Sequence, residues 1–161
     1  MTTSPATILS TNPLFAGLPT EELESLVGTL RRDARRAGDV IFRQDDPGTS
    51  LYVIESGVVK VQRTSPDGKQ VILAILSSGD FFGELALLDG EPRSADAVAK
   101  DDCALLVLDR ADFLRFIARH PIAATRLLAT LSRRLRRTDQ LVQDAAFLDV
   151  SARLARVLLT L

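Results

Sequence analysis

The stretch that decides the fold is residues 51–76, which read LYVIESGVVKVQRTSPDGKQVILAIL. It holds short apolar runs at 51–54, 58–61 and 71–76, and turn residues such as Gly57 and Gly68 separate them. Short apolar runs between such turns are typical of antiparallel strands. The pattern continues outward in both directions, with further runs at 40–42, 95–98 and 104–108. Many short strands at this spacing predict a mainly β fold with flanking helices, built on a double-stranded β-helix or jelly-roll barrel.

Helical patterns flank the predicted barrel at both ends of the chain. Residues 12–36 are predicted to form short helices, one of them capped by Thr20 and followed by acidic residues in its first turn. A short helix over 111–119 follows the last strand. A long helix is then predicted from 122 to 146, because this stretch contains neither Gly nor Pro. Another helix is predicted to start at Asp149.

The long helix carries an apolar stripe with the spacing of a coiled-coil seam. Its members recur at alternating steps of three and four residues: Leu128, Leu131, Leu135, Thr138, Val142 and Ala145. The stripe predicts a homodimer that associates through Leu128, Leu131, Leu135 and Val142. Because it covers only about two and a half heptads, an alternative stays open. The helix would then pack on its own barrel, with Leu127 and Leu141 on a second face.

Composition restricts the class of protein. The chain has 161 residues, of which 46% are hydrophobic and 25% charged, and its net charge is −1; this balance is typical of a globular protein. A single cysteine, Cys103, excludes an internal disulfide. A single histidine, His120, removes most zinc sites and most acid–base catalysis. No apolar run reaches the roughly 18 residues of a membrane span, and no secretory signal is recognised, so a soluble, cytoplasmic protein is expected.

The charge is distributed unevenly along the chain. Residues 1–118 carry a net charge of −6, whereas residues 119–161 carry +5. The acidic part argues against nucleic-acid binding by the barrel. Four arginines of the basic part are interpreted as a solvated face beside the apolar stripe and not as a DNA-binding surface; they are Arg133, Arg134, Arg136 and Arg137.

The segment that carries chemistry is residues 79–95, which read GDFFGELALLDGEPRSA. Gly83 permits a tight bend before a predicted helical turn over 84–88, and the free N–H groups at the start of such a turn suit an anion. Arg93 and Ser94 add a guanidinium fork and a hydroxyl, which suit a phosphate. Glu84 accepts hydrogen bonds from sugar hydroxyls, so the set predicts a sugar phosphate or a nucleotide. The alternative is a surface ion pair between Glu84 and Arg93, which would contribute little.

This segment closely resembles the phosphate-binding cassette of cyclic nucleotide-binding domains. The long helix and the residues at 146–150, AFLDV, are similar to the dimerisation helix and hinge of bacterial regulators of the cyclic AMP receptor protein and fumarate–nitrate regulator superfamily. The resemblance implies a cyclic nucleotide-binding jelly-roll domain with N-terminal helices at 1–120 and a dimerisation helix at 121–148. It also implies that 149–161 is the start of a truncated winged helix-turn-helix. DNA would be contacted only through that C-terminal module, which is absent from this chain.

The resemblance implies a role for each matching residue. Glu84 is expected to bind the ribose 2′-hydroxyl and Arg93 the cyclic phosphate. Thr138 is expected to contact the adenine, with Arg134 supporting it from one turn earlier; Asp139 stands where relatives often have a serine. The remaining cassette positions complete the anion site, namely Gly83, Leu85, Ser94 and Ala95.

The implied function is non-catalytic binding of a cyclic nucleotide, cyclic AMP first, without a metal or a cofactor. Ligand that contacts both barrel and helix would shift the population of conformers and re-aim the DNA-reading module. Two alternatives stay open: cyclic GMP or a cyclic dinucleotide in the same pocket, or a ligand-free structural dimerisation domain. Val61, Leu73 and Phe82 are interpreted as core residues rather than pocket lining.

Overall fold

The computed structural model describes residues 3–159, except for the side chains at positions 148, 149, 153 and 156. The chain divides into two compact units, Met1–Ala124 and Thr125–Leu161. The first unit contains the strands, and the second consists of the greater part of one long helix.

The described strands form two antiparallel sheets of four strands each. The first has the order β1-β8-β3-β6 and the second the order β2-β7-β4-β5. Pairing of β1 with β8, β2 with β7, β3 with β6 and β4 with β5 is the rolled arrangement of a jelly roll, so the predicted fold class is confirmed. The strand bounds are β1 Arg31–Arg35, β2 Val40–Phe42, β3 Ser50–Ser56, β4 Val59–Thr64, β5 Gln70–Leu76, β6 Phe81–Phe82, β7 Asp96–Ala99 and β8 Cys103–Asp109.

Helices precede, interrupt and follow the strands. Their bounds are α1 Pro5–Thr11, α2 Thr20–Val27, α3 Glu84–Asp89, α4 Arg110–Arg119 and α5 Pro121–Leu159. The helix α3 stands between β6 and β7, inside the segment that the sequence singled out. The helix α5 begins in the first unit and continues through the second. No helix within residues 3–159 combines the length and the apolar character that a membrane span needs.

The barrel core is formed by side chains from both sheets. Ile54 and Leu105 come from the first sheet, Val59 and Ala97 from the second, and all four are fully buried. Phe82 is 2% exposed in the same cluster, while Val61 packs against it and is partly buried. Burying each large apolar side chain stabilises the fold by about 1.5–3 kcal/mol. The interpretation of Phe82 as a core residue is therefore confirmed.

One predicted helical stretch is a strand. All the predicted apolar runs overlap strands, but residues 31–35, placed within the N-terminal helices by the sequence, form β1. This strand reads RRDAR and shows no apolar alternation, so the sequence signal for a strand is missing. Its backbone pairs with β8 at the edge of the sheet. Charged side chains are typical of such an edge, and Arg31 and Arg32 lie 3.1 and 3.2 Å from the carboxylates of Asp109 and Glu55.

Two predictions about helix ends are wrong. The helix α2 begins at Thr20, and Pro19 occupies the N-cap position without a side-chain capping bond. The acidic first turn, Glu21 and Glu22, is as predicted. The predicted break before position 149 is absent, because α5 runs without interruption from Pro121 to Leu159. Neither Gly nor Pro occurs in this part of the chain to end a helix. Leu161, in the helix predicted to start at Asp149, lies outside the described residues.

Candidate functional site

The cassette, defined here as residues 83–95, owes its shape to two glycines in left-handed conformations. Gly83 has φ of 87° and leads directly into α3. Gly90 has φ of 73°, and its N–H closes the last turn of α3 on the carbonyl of Ala86. Residues with a Cβ adopt such angles at a cost, so glycine at these two positions fixes where the short helix starts and stops. The chain then returns to Arg93 and enters β7.

Glu84 and Arg93 bring two charged groups into the protein interior. Each is only 4% exposed. Glu84 is the first residue of α3, where the helix dipole favours a negative charge. Charged side chains are almost never this deeply buried without compensating interactions. The alternative of a surface ion pair is therefore wrong, because neither side chain lies at the surface.

The Arg93 guanidinium is fixed by the backbone around it. Its Nη1 donates to the carbonyl of Gly83 and its Nη2 to the carbonyl of Ser50, both at 2.7 Å. Its Nε is buried and has no hydrogen-bond partner within the described residues. A buried, unsatisfied N–H on a cation is unfavourable. The group therefore retains an unmet preference for an acceptor.

A loop ahead of β3 holds the backbone of Arg93. The N–H of Asp45 donates to the carbonyl of Arg93 at 2.9 Å, and the N–H of Arg93 donates to the carbonyl of Asp46 at 2.8 Å. Asp45 has φ of 71°, an unusual conformation for a residue with a Cβ. Gly48 lies against the side chain, since a Cβ at this position would be 2.4 Å from the Cβ of Ala86 and 2.9 Å from the Nε of Arg93.

Electrostatics around Arg93 favour an anion. Burial lowers the pKa of the Arg93 guanidinium below its usual value, and Coulombic interactions with Tyr52, Glu84 and Asp46 oppose this shift. An arginine nevertheless stays protonated at physiological pH. The result is a desolvated positive charge, which binds a phosphate more strongly than a hydrated one would.

The remaining predicted cassette residues occupy different environments. Ser94 is exposed and Leu85 is 44% exposed, whereas Ala95 is buried. Gly83 is half-buried and contacts Arg93 through its carbonyl. The structure thus brings the cassette residues together in one short segment of the first unit.

Thr138 and Arg134 lie in the second unit, on α5. The Thr138 side chain is exposed, and its hydroxyl donates to the carbonyl of Arg134 at 3.1 Å. This is a bond within one turn of the helix, and it leaves the lone pairs of the hydroxyl available. The assignment of both residues to a ligand site remains a prediction.

Several residues at the site were not identified from the sequence. Phe42 lies under the Arg93 guanidinium, with its ring centroid 4.1 Å from Cζ. Tyr52 lies 5.8 Å from the same atom. Gly48 and Ser50 contact Arg93 as described above. Gly48 has only a weak signal in the sequence, because it follows Asp46 and Pro47 in a stretch that is typical of a turn.

The single cysteine and the single histidine each contact neighbouring protein groups. Cys103 is 5% exposed and its thiol donates to the carbonyls of Val58 and Asp101; burial raises the pKa of this thiol. His120 ends α4, and its Nε2 lies 3.2 Å from an oxygen of Glu22. Within residues 3–159, no three His, Cys, Asp or Glu side chains cluster as metal ligands would.

Comparisons with known proteins agree with this geometry. The family model described as "Cyclic nucleotide-binding domain" matches residues 34–120. The "Cyclic AMP receptor protein" of Thermus thermophilus is 42% identical over 93% of this chain and 69% of its own length. The "CRP-like cAMP-activated global transcriptional regulator" of Mycobacterium tuberculosis is 36% identical over 96% of this chain and 69% of its own length.

A solved structure shows the same relationship. The crystal structure of the Thermus thermophilus catabolite activator protein superposes with a TM-score of 0.74 at 43% identity. The match covers 84% of this chain and 64% of that one. This chain therefore spans only about two thirds of the length of its relatives.

Proposed function

Because this chain belongs to the cyclic nucleotide-binding domain family and is homologous to the bacterial cyclic AMP receptor proteins, we propose that it binds cyclic AMP as the sensor part of a DNA-binding transcription regulator. The observation that carries this proposal is the buried pair of Arg93 and Glu84 in one cassette. A ligand that has an anion beside sugar hydroxyls satisfies both groups together.

Each cassette residue has a defined part in this proposal. The Arg93 guanidinium pairs with the cyclic phosphate, and its unpartnered Nε explains why the site favours an acceptor. Glu84 accepts a hydrogen bond from the ribose 2′-hydroxyl. Ser94 and the backbone N–H groups of Leu85 and Ala95 complete the anion site. The single histidine of the chain, His120, lies outside the cassette, which supports our proposal of binding without catalysis.

The proposed response to ligand is allosteric. Ligand that uses the cassette and also Thr138 on α5 shifts the population of conformers. The shift would re-aim a helix-turn-helix that follows this part of the chain and reads DNA as a homodimer on a two-fold symmetric site. A regulator of this kind works in the bacterial cytoplasm, where its DNA target is. The Mycobacterium tuberculosis relative is named a cAMP-activated global transcriptional regulator, which supports this proposal.

The proposed homodimer forms through the stripe on α5. Leu128, Leu135 and Val142 are 64, 62 and 65% exposed in the single chain. Large apolar side chains exposed in a row are typical of a protein–protein interface. Leu131 continues the same stripe at heptad spacing and is half-buried.

The test is calorimetric titration of cyclic AMP into the protein and into Arg93→Ala. Losing a charge-assisted hydrogen bond to phosphate should weaken binding about tenfold to a hundredfold or more. Arg36→Ala is the control, because it removes an exposed arginine outside the cassette and should leave affinity unchanged. Adenosine, which lacks the phosphate, should bind the unmutated protein and Arg93→Ala equally weakly.

Other ligands are distinguished by the same titration. Tighter binding of cyclic GMP or of a cyclic dinucleotide would replace cyclic AMP as the ligand while keeping the role of Arg93. If the unmutated protein binds none of these ligands at a concentration where it is dimeric, the sensor proposal is wrong and a structural role replaces it. Thermal unfolding of Arg93→Ala and Arg93→Met checks that a loss of binding does not come from a loss of fold.

A further inference from the structure

We propose that Phe42 is a positioning residue for the Arg93 guanidinium, a role that rests on the proposed function of Arg93 in binding phosphate. The Phe42 ring centroid lies 4.1 Å from Arg93 Cζ. This distance is well inside the roughly 6 Å limit for a cation–π interaction. Phe42 ends β2, far from the cassette in sequence, and is half-buried. Its ring therefore stands between the barrel core and the cation.

Neighbouring aromatic rings hold the Phe42 ring in place. Its centroid lies 5.9 Å from that of Tyr52 and 5.9 Å from that of Phe82. Tyr52 and Phe82 stack on one another at 5.1 Å with an angle of 9° between the rings. Aromatic pairs at these distances attract each other beyond simple burial. The three rings form a fixed platform, and the part of it nearest the guanidinium is Phe42.

The other contacts of the guanidinium restrict it in the remaining directions. Gly48 lies against Nε and Cζ, so closely that a Cβ there would be 2.9 and 3.0 Å from them. The carbonyls of Gly83 and Ser50 accept from the two terminal nitrogens. These contacts leave the guanidinium one orientation, with donors left over, because an arginine carries more N–H groups than two carbonyls use. Affinity is higher when a binding group does not have to be ordered on binding.

Phe42 therefore acts on binding through Arg93. Without the ring, the guanidinium can turn away from the carbonyl pair, and the phosphate must order it again. The opposite role predicts the opposite change in affinity. If the ring held Arg93 away from the ligand, removing the ring would tighten binding. The two cases are separated by measuring the direction of the change.

The first experiment needs no ligand. The Arg93 Nε–H signal is followed by NMR in the unmutated protein and in Phe42→Leu. A resolved, slowly exchanging signal is expected in the first and a fast-exchanging signal in the second. An unchanged signal in Phe42→Leu would overturn the positioning role, whatever the protein binds.

The second experiment measures cyclic AMP affinity. Phe42→Leu should weaken binding about tenfold, within the range of a desolvated cation–π contact, and Phe42→Tyr should restore it. The matched control is Phe116→Leu, which removes a ring of α4 that packs against Phe15 and lies outside the three-ring cluster. It should lower the unfolding temperature and change affinity less than about twofold. An equal loss in Phe116→Leu, or tighter binding by Phe42→Leu, would overturn the proposal.

A double-mutant cycle separates positioning from packing. With alanine at position 93, Phe42→Leu should have no further effect on affinity, because the residue through which it acts is gone. An additional loss of similar size in that background would mean that Phe42 acts on the ligand by another route. If the NMR result stands but cyclic AMP does not bind the unmutated protein, the proposed function is wrong and the positioning of the guanidinium is right.

Discussion

The cassette and α5 differ in how much of their surface the chain itself covers. In the cassette, the charged residues Glu84 and Arg93 are each 4% exposed. On α5, the apolar residues Leu128, Leu135 and Val142 are 62 to 65% exposed. Both regions reverse the usual rule that charges face water and apolar side chains face the interior.

The buried charges of the cassette and the exposed apolar stripe of α5 favour different kinds of binding partner. The buried Arg93 guanidinium favours an acceptor that brings negative charge, which supports the proposal that a small anionic ligand completes the cassette. An exposed apolar stripe is stabilised by another apolar surface, which supports the proposal that α5 pairs with a second copy of the chain. The contacts described around Arg93 come from one copy of the chain, whereas the proposed dimer needs the stripe of two copies. Mutations should therefore act on ligand affinity in the first region and on assembly in the second.

The largest expected effect is on assembly. Leu135→Glu places a carboxylate in the centre of the stripe in both copies of the proposed dimer. Burying it there is strongly unfavourable, and we expect the dissociation constant to rise at least about a thousandfold. Sedimentation velocity over a range of concentrations measures the change. Because Leu135 is 62% exposed in the single chain, the unfolding temperature of the monomer should not fall.

The control for this prediction is Leu141→Glu on the same helix. Leu141 is 39% exposed and lies off the stripe, so this variant should remain dimeric. If Leu141→Glu dissociates and Leu135→Glu does not, the dimer forms through the face that contains Leu141, and the stripe through Leu135 is not the interface.

The next effect concerns a glycine that lies against the cassette. Gly48→Ala introduces a Cβ that would lie 2.4 Å from the Cβ of Ala86 and 2.9 Å from the Nε of Arg93. The neighbouring atoms must move to make room for this Cβ, and this displacement should lower the free energy of unfolding by about 1–3 kcal/mol. It should also displace the guanidinium and weaken cyclic AMP binding about a hundredfold or less. Urea unfolding and calorimetry measure the two quantities separately.

A glycine that does not approach the cassette provides the comparison. Gly28 caps α2 with φ of −61°, and a Cβ there would come no closer than 3.3 Å to another atom. Gly28→Ala should change the free energy of unfolding by less than about 1 kcal/mol and leave affinity unchanged. Equal affinity losses in the two variants would show that the cassette responds to general destabilisation and not to contact with Arg93.

The cassette was predictable because its signal is local. Its key residues lie within one short segment: Gly83, Glu84, Gly90 and Arg93. Glycine is typical of sharp bends, and the charges of Glu84 and Arg93 indicate what each side chain can bind. The bend at Gly83, with φ of 87°, is the one that the sequence pattern predicts. The strands with apolar runs were predictable for the same reason, since each run is long enough to show its own pattern.

What the sequence did not show depends on contacts between distant segments. Ser50 is 43 positions from Arg93, and Phe42 is further away still. They meet Arg93 only because the jelly roll brings β2 and β3 beside the start of β7, and no local pattern specifies that register. The edge strand β1 was missed because its stability comes from backbone pairing with β8 and not from an apolar face. The continuous α5 was missed because the resemblance suggested a hinge where the chain has no helix-breaking residue.

The smallest expected effect tests whether α5 takes any part in ligand binding. Thr138→Ala should weaken cyclic AMP binding about threefold to tenfold if the hydroxyl bonds the ligand, because a neutral hydrogen bond contributes about 0.5–1.5 kcal/mol. Ser132→Ala is the matched control. Ser132 is also exposed, and its hydroxyl donates to the carbonyl of Leu128 four residues earlier, as the Thr138 hydroxyl donates to that of Arg134. Calorimetry should therefore show a loss for Thr138→Ala alone; equal affinities in the two variants would assign ligand binding to the cassette and leave α5 with assembly only.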